Sequence, residues 1–464
     1  MVNSFNVVLM STYDLGHQPY SVAVAAALVG DAGASVCCND LAVDELAYED
    51  IANADLVALH LPMHTATRLA LRVLPRIKEL NTKATMVCYG NYAVMNEPHL
   101  RSAGVDFIFG GEGEARLAEI CTSLMAGMEV RPGDTVRLER QSYPVPDRSG
   151  LPGLSEYAHL LPAEGPPRMA GYTETTSGCK HLCSHCPVVP VYQGRFFAID
   201  HDVVLQDIAQ QVRMGAEHIT FGDPDFFNGP SHGIRVVEAL AERHPNLTYD
   251  VTIKVEHLLK HAKLLSRLRD TGCLFVTTAV ESFDNRILQL LKKGHTRSDF
   301  AKVIELCDKI NLGLVPTFVA FTPWTTPETY LEFLREIVRF NLVSRVPTIQ
   351  YGLRLLVPRG SYLLQQEGFR GFLGRYDTDA LSYVWNYKNP VSGNLETEIQ
   401  SVVEGLVAKG LPASEAFEEL WQFVHAMNDI QAPVLPRDCS MLMPTMSESW
   451  YCCAEPTEAQ LNRL

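Results

Sequence analysis

The chain has few basic residues, no long apolar run and no repeated segment, and each absence excludes a class of protein. Lysine and arginine number 39 against 54 aspartates and glutamates, and the formal charge is −15. This balance argues against a general nucleic-acid partner, because phosphate binding needs an excess of cationic side chains. No apolar stretch reaches the roughly eighteen residues that a membrane span needs. The start, Met1 to Asn6, carries no basic group, so we expect no signal peptide and no membrane partner.

The residue composition is typical of a globular protein, and its cysteine content indicates a role for thiols in metal binding or catalysis. The chain has 464 residues, of which 47% are hydrophobic and 20% charged, enough for about three domains with buried cores. Twelve cysteines occur without a recognisable export signal. Thiols of a cytoplasmic protein stay reduced and serve metals or catalysis. We therefore expect a cytoplasmic, multidomain protein that binds metal.

Three of the cysteines form a compact array. Cys179, Cys183 and Cys186 follow the pattern C-x3-C-x2-C, with His181 and His185 between them. Three thiolates can hold three irons of a [4Fe–4S] cluster and leave the fourth iron open to a small molecule. A zinc site is the alternative, but structural zinc usually takes two separated ligand pairs, and no second pair lies nearby. A disulfide framework would leave one thiol unpaired.

The first 129 residues alternate strands and helices. Continuous apolar strands separated by amphipathic helices predict a doubly wound parallel sheet, with ligands bound at the carboxyl ends of its strands. Residues 130–167 are rich in proline and predict a semi-rigid linker that runs over the surface. The predicted strands are 6–10, 35–40, 55–60, 84–90 and 106–110, with helices over 20–30 and 67–80.

The second unit, residues 168–375, repeats strand and helix about every 30 residues. This spacing predicts a partial (β/α)6 barrel with its chemistry at the carboxyl ends of the strands. We expect its sixth strand over residues 348–353. Residues 376–464 are expected to form a mainly helical C-terminal extension that carries a thiol-bearing tail.

The cysteine spacing resembles the signature of the radical S-adenosylmethionine (SAM) superfamily. The resemblance implies a [4Fe–4S] cluster, SAM, and an electron donor of the flavodoxin or ferredoxin type. His185 departs from the family, which usually has an aromatic residue before the third cysteine. By position, the SAM-binding residues implied are Gly222, Asp223, Asp225, Glu281, Ser282 and Arg354. The alternatives are a plain Gly-Asp-Pro turn for the two aspartates and a surface salt bridge for Arg354.

The first domain resembles the cobalamin-binding domain that precedes many radical SAM cores. In that domain an Asp-x-His-x-x-Gly loop often supplies a cobalt ligand, but here Asp14 and His17 are followed by no glycine at the required place. Cobalamin is therefore a possible cofactor and not the favoured one. The favoured expectation is a retained scaffold that shapes the substrate pocket, with His17 an ordinary loop residue.

The tail reads Cys452-Cys453-Ala454-Glu455-Pro456 and resembles a group of radical SAM proteins with this ending, among them enzymes of arsinothricin biosynthesis. The resemblance implies transfer of the 3-amino-3-carboxypropyl group of SAM to trivalent arsenic, forming a C–As bond. Cys452, Cys453 and Cys439 would then hold arsenite, the expected small-molecule substrate, since soft centres prefer thiolates. Two buried small side chains are the alternative for the vicinal cysteines. The other functions considered are a cobalamin-dependent radical SAM methyltransferase and a non-catalytic metal or metalloid sensor.

Overall fold

The computed structural model describes residues 4–436, 443–448 and 455–463. Cys439, Cys452 and Cys453, predicted to hold the substrate, lie outside the described residues. Within the described ranges, no helix combines the length and the apolar character needed to cross a membrane.

The N-terminal domain is a parallel sheet covered by helices on both faces. Val73, Leu74 and Ile77 pack on one face of the sheet, while Val22 and Leu117 belong to the core on the other. Both faces are buried, which explains why its strands are apolar throughout. The strands are β1 (Asn6–Ser11), β2 (Ser35–Asp40), β3 (Leu56–His60), β4 (Thr85–Tyr89) and β5 (Phe107–Gly111), in the order β2-β1-β3-β4-β5. The helices are α1 (Tyr20–Asp31), α2 (Tyr48–Ala52), α3 (His64–Leu80), α4 (Asn91–Met95), α5 (Glu97–Ser102) and α6 (Glu114–Met125).

The segment 130–167 differs from the surface linker that its composition predicts. Strand β6 (Val136–Arg137) extends the N-terminal sheet beside β5, and β7 (His159–Leu161) pairs antiparallel with the first strand of the next domain. Between them, the Arg148 side chain is fully buried against Asp207. The segment therefore contributes a strand to each sheet and a buried side chain between them. A high proline content does not reveal these contacts.

The second domain is a curled sheet whose parallel strands alternate with helices. Its order, β14-β13-β12-β11-β8-β7, places the first parallel strand beside the antiparallel β7. The parallel strands are β8 (Arg168–Thr173), β11 (His218–Phe221), β12 (Thr248–Thr252), β13 (Cys273–Glu281) and β14 (Gly313–Phe318), and β9 (Thr176–Gly178) and β10 (Phe196–Ala198) form a separate hairpin. The helices are α7 (Val188–Tyr192), α8 (His201–Arg213), α9 (Pro230–Arg243), α10 (Val255–Lys260), α11 (Ala262–Asp270), α12 (Asn285–Leu290), α13 (Arg297–Ile310) and α14 (Pro327–Arg339).

The predicted class, a doubly wound parallel sheet followed by a partial barrel, is confirmed, but its sixth strand is not. Residues Thr348–Tyr351 form a 3-10 helix, and a single parallel bridge between Phe321 and Arg354 stands in the sixth position. The Gln350 side chain explains the difference, since its Oε1 accepts from the Phe318 backbone N–H at 2.9 Å. That amide would otherwise be open to a neighbouring strand.

The C-terminal extension is mainly helical, as predicted, and returns to both sheets. Strand β17 (Thr445–Met446) pairs antiparallel with β7 and becomes the outer strand of the barrel sheet. Tyr13 of the N-terminal domain donates to Glu448 at 2.6 Å, beside β17. The other elements are α15 (Glu367–Arg370), β15 (Leu373–Asp377), β16 (Ser382–Trp385), α16 (Ser392–Ala408), α17 (Ala413–Met427) and α18 (Glu458–Arg463).

Candidate functional site

A cavity of about 770 Å³ lies where the carboxyl ends of the two sheets face each other. Leu15, His17 and Met63 line it from the N-terminal domain, and Met443 and Met446 line it from the C-terminal tail. The barrel supplies the remaining wall, including the three thiols of the cysteine array. The cavity therefore unites the carboxyl ends of both parallel sheets, where such folds bind ligands.

The three thiols line one side of this cavity, and their loop is fixed to the rest of the barrel. Ser184, inside the loop, donates its backbone N–H to the Leu291 carbonyl at 3.0 Å and its hydroxyl to the Leu290 carbonyl at 2.7 Å. Burial, together with the nearby Asp225 and Cys183, raises the pKa of Cys179 to about 12. A metal bound here must displace the thiol protons, as thiolate ligation requires.

A compact group of possible metal-ligand atoms lies in this part of the barrel, but the three thiols do not form it. Among the described residues, the ligand atoms of His181, Asp225 and His257 all lie within 4.8 Å of one another, and the three thiols form no such group. One tetrahedral zinc ion would hold its thiolates about 4 Å apart. A [4Fe–4S] cluster instead binds each thiolate to a different iron, and the three cysteines of this loop offer three such thiolates.

Of the predicted SAM-binding residues, five line the cavity: Gly222, Asp223, Asp225, Glu281 and Arg354. Ser282 is not among the lining residues, and its hydroxyl accepts from the Asp284 backbone at 3.1 Å. Whether these side chains bind SAM stays a prediction.

The carboxylates among them already have partners within the protein. Asp223 is buried and accepts from the Thr175 hydroxyl at 2.7 Å, the Thr176 hydroxyl at 2.6 Å and the Thr175 backbone at 2.9 Å. Arg354 pairs with Glu396 at 3.2 Å and stacks over the Trp385 ring, so the salt bridge considered for it is present.

Charged side chains near the cavity also include residues that sequence reasoning missed. Asp250, in β12, lines the cavity and accepts from Thr220 at 2.7 Å and from His218 at 3.0 Å. Lys254 follows the same strand, and Lys293 lies beyond β13; both are buried on the cavity wall. For Asp250 and Lys254 the available signal is a charged residue in or just after an apolar strand of the barrel, where the carboxyl ends meet. Lys293 follows α12 and does not show this signal.

Glu112 connects the N-terminal domain to the thiol loop. It is buried, and it accepts from Ser177 at 2.5 Å, from Tyr192 at 3.2 Å and from Tyr143 at 2.8 Å. Burial raises the pKa of Glu112 to about 7, although these three hydrogen bonds oppose the shift. Since Ser177 lies two residues before Cys179, this carboxyl group helps to fix where the loop begins.

The N-terminal side of the cavity bears on the cobalamin question. Burial lowers the pKa of His17 to about 4, so its imidazole is neutral at pH 7, and its ring stacks on Tyr172 at 4.8 Å. Further along the same edge, Glu448 approaches Gly16 so closely that a Cβ there would lie 2.8 Å from it. The cavity thus reaches the N-terminal domain at His17, while the tail covers the neighbouring part of the edge.

Comparison with known proteins gives one family match. Residues 173–337 match the model of the Radical SAM superfamily. The tRNA-2-methylthio-N(6)-dimethylallyladenosine synthase of Mannheimia succiniciproducens is 24% identical over 284 residues, 57% of this chain and 55% of that protein. The ribosomal protein uS12 methylthiotransferase RimO of Bacteroides thetaiotaomicron is 23% identical over 214 residues, 43% of this chain and 47% of that protein. The chain thus spans about half the length of the curated relatives it matches.

Two solved structures share the fold over most of the chain. The radical SAM methyltransferase TsrM from Kitasatospora setae, with tryptophan and aza-SAM bound, has a TM-score of 0.65 at 16% identity and covers 86% of this chain and 89% of its own. The cobalamin-dependent SAM radical enzyme OxsB, with aqua-cobalamin bound, has a TM-score of 0.68 at 14% identity and covers 91% of this chain and 73% of its own. At these identities the likeness is one of fold.

Proposed function

We propose a function on the premise that residues 173–337 are a radical SAM domain: the protein is a cobalamin-dependent radical SAM methyltransferase acting on a small molecule. The observation that carries the proposal is the single cavity joining the thiol loop to the carboxyl edge of the N-terminal sheet. The fold shared with TsrM and OxsB supports it. Cobalamin, not favoured by the sequence motif, is thereby the cofactor we expect.

The cofactors would supply the reactive chemistry, and the chain would hold the cofactors in place and exclude water from the cavity. When bound, a [4Fe–4S] cluster provides the electron that cleaves SAM, and cobalamin provides a cobalt centre able to carry a methyl group. Cys179, Cys183 and Cys186 would hold the cluster. The walls of the barrel, with Phe275 and Val315 among their apolar side chains, exclude water from a radical formed there.

The polar groups of the barrel interior would orient the substrate. Asp250 and Thr220 lie on the cavity wall beside each other and offer a carboxylate and a hydroxyl to a polar substrate group. Arg354, with 39% of its side chain exposed, would attract an anionic group at the rim. On the N-terminal side, neutral His17 and the apolar Leu15 and Met63 would contact the corrin.

The test uses the full-length chain, reconstituted anaerobically with iron and sulfide and then incubated with hydroxocobalamin. We expect about one cobalamin per chain after gel filtration, seen by its visible absorption. With SAM and dithionite, in place of the flavodoxin- or ferredoxin-type donor that we still predict, mass spectrometry should detect S-adenosylhomocysteine and 5′-deoxyadenosine. The Cys183→Ala variant serves as the control, because it should lose SAM cleavage while keeping the N-terminal domain.

Two outcomes would contradict this function. Loss of all cobalamin on gel filtration, together with methylthioadenosine formed when arsenite is present, would reject methyl transfer. No SAM cleavage at all in a fully loaded sample would favour the non-catalytic sensor.

The second candidate is transfer of the 3-amino-3-carboxypropyl group to thiol-held arsenite, the function implied by the tail. The observation that favours it is the position of the described segments on either side of residues 449–454. Glu448 lines the cavity, and Glu455 contacts His64 and Arg68 of α3. Methylthioadenosine formation that depends on arsenite and is lost in Cys452→Ser would support this candidate.

A further inference from the structure

Each histidine in the cysteine array is tied to a buried carboxylate of the barrel. His181 lies between the first two cysteines and His185 directly before the third. His181 contacts Asp225 and His185 contacts Glu281, each at 3.0 Å. Two imidazoles thus connect the thiol loop to two separate strand ends, and a buried lysine stands near each of them.

The tie at His185 is a three-residue network. Glu281 Oε1 accepts both from His185 Nε2 at 3.0 Å and from the Lys293 ammonium at 3.1 Å. Burial alone would raise the pKa of Glu281, but the Lys293 ammonium and His185 outweigh it and hold that pKa well below its usual range. Glu281 also has a φ of +71°, a left-handed conformation that is unfavourable for a residue with a side chain. The network therefore contains a full carboxylate and a full ammonium in a strained, buried place.

The contacts around His181 have the ligand types of a metal site, but their protonation states are those of a hydrogen-bond network. Asp225 Oδ2 lies 2.7 Å from His257 Nδ1 and 3.0 Å from His181 Nε2. Lys254 lies 3.3 Å from the other nitrogen of His181, Nδ1. Because an ammonium can only donate a hydrogen bond, Nδ1 of His181 accepts from Lys254. The ring proton is then on Nε2, which donates a hydrogen bond to Asp225. A ring protonated at Nε2 cannot use that atom to bind a metal ion.

The lysines stand close enough to the thiols for their charges to act on them. Burial opposes the protonated form of Lys293, but the Glu281 carboxylate, and after it Cys183 and Cys186, favour that form and raise the pKa of Lys293. In the same way, the charge of Lys254 favours the thiolate form of Cys179 and lowers its pKa, which burial raises. Each cysteine of the array thus has a buried ammonium nearby.

We propose that the charge pair Lys293–Glu281 sets the reduction potential of the cluster that the cysteine loop holds. Reduction adds one negative charge to the cluster, and nearby charges change the free energy of that step. Lys293 favours the reduced state and Glu281 disfavours it. Removing one or the other should therefore shift the potential in opposite directions. The inference rests on the cluster of the proposed function but needs neither cobalamin nor a substrate.

The test is a potentiometric titration of the reconstituted full-length protein, followed by electron paramagnetic resonance of the reduced cluster. In Lys293→Met we expect the ratio of reduced to oxidised cluster at a fixed potential to fall about tenfold, equivalent to 59 mV for one electron. In Glu281→Gln the ratio should rise, and in the double variant it should return towards wild type. Lys293→Arg keeps the charge and should keep the potential.

The neighbouring Lys292 provides the matched control. It is exposed, so water and salt screen its charge, and Lys292→Met should leave the potential unchanged. Equal potentials in all variants, or a shift of the same sign in Lys293→Met and Glu281→Gln, would overturn the proposal. Iron and sulfide are measured in each sample, so that a loss of cluster is not read as a change of potential. Loss of the cluster from Lys293→Met leaves the test to Glu281→Gln and the double variant. A normal set of potentials without methyl transfer would reject only the proposed function.

Discussion

Replacing Arg148 by methionine should destabilise the whole protein, because this guanidinium joins three parts of the chain. It makes a two-pronged contact with Asp207 at 2.7 and 2.9 Å, and it also donates to Gln18 and to the Tyr172 carbonyl, each at 2.7 Å. Neither side chain of the ion pair is exposed by more than 1%. Removing one partner of such a pair leaves a buried charge without compensation.

The expected loss is about 3–5 kcal/mol of unfolding free energy, the usual cost of breaking a buried pair. Gln210 and Gln211 still donate to Asp207, which places Arg148→Met towards the lower end of that range. The double variant Arg148→Met, Asp207→Leu should recover at least half of the loss, because it removes both charges. Urea unfolding followed by circular dichroism provides the measurement.

The matched control is Arg267→Met, since the Arg267–Glu238 pair is exposed by 48% and 39%. An exposed pair contributes about 0–1 kcal/mol, so this variant should unfold close to wild type. The reasoning is refuted if Arg148→Met costs less than about 1 kcal/mol, or if the double variant loses the sum of both single losses.

Three further predictions follow from the site. Cys183→Ala should reduce bound iron from about four per chain to below one, measured by iron analysis after anaerobic reconstitution, whereas Cys307→Ala, a thiol buried in α13, should keep it. Gly222→Ala should weaken SAM binding at least tenfold in a calorimetric titration, because the new Cβ would lie 1.8 Å from the Tyr172 hydroxyl. The circular dichroism should stay unchanged. An unchanged affinity would show that SAM does not bind against this wall of the cavity. The folded pKa of Glu112, about 7, lies above its reference value of 4.5, so only the folded state keeps the proton between these values and stability should fall as pH rises through this window. Glu112→Gln should flatten that fall in urea midpoints measured at pH 5 and pH 7.5, and an unchanged slope would disprove the assignment.

The sequence predicts the parallel elements well because their patterns are local. Strand Ser35–Asp40 has the predicted bounds, and helix Tyr20–Asp31 differs from its prediction by one residue. The thiol loop is recognised by its spacing alone, and the structure brings its cysteines to one cavity with most of the predicted SAM-binding residues.

Features that depend on distant partners are not predictable in this way. Residues 348–353 read as a strand, but Gln350 satisfies the neighbouring amide with its side chain, and no local pattern reveals this. Arg148 lies in a proline-rich segment and is buried only because Asp207, 59 positions away, meets it. Lys254 and Lys293 lie far from the thiols in the sequence, so their electrostatic effect on the thiols cannot be predicted from a local pattern.

The position of β17 has a consequence for biosynthesis. Its two residues complete the barrel sheet, and the Tyr13–Glu448 contact beside it spans 435 positions. On the ribosome, the earlier strands of both sheets are therefore made before this outer strand. The outer edge of the barrel sheet is thus completed only after nearly the whole chain has been translated.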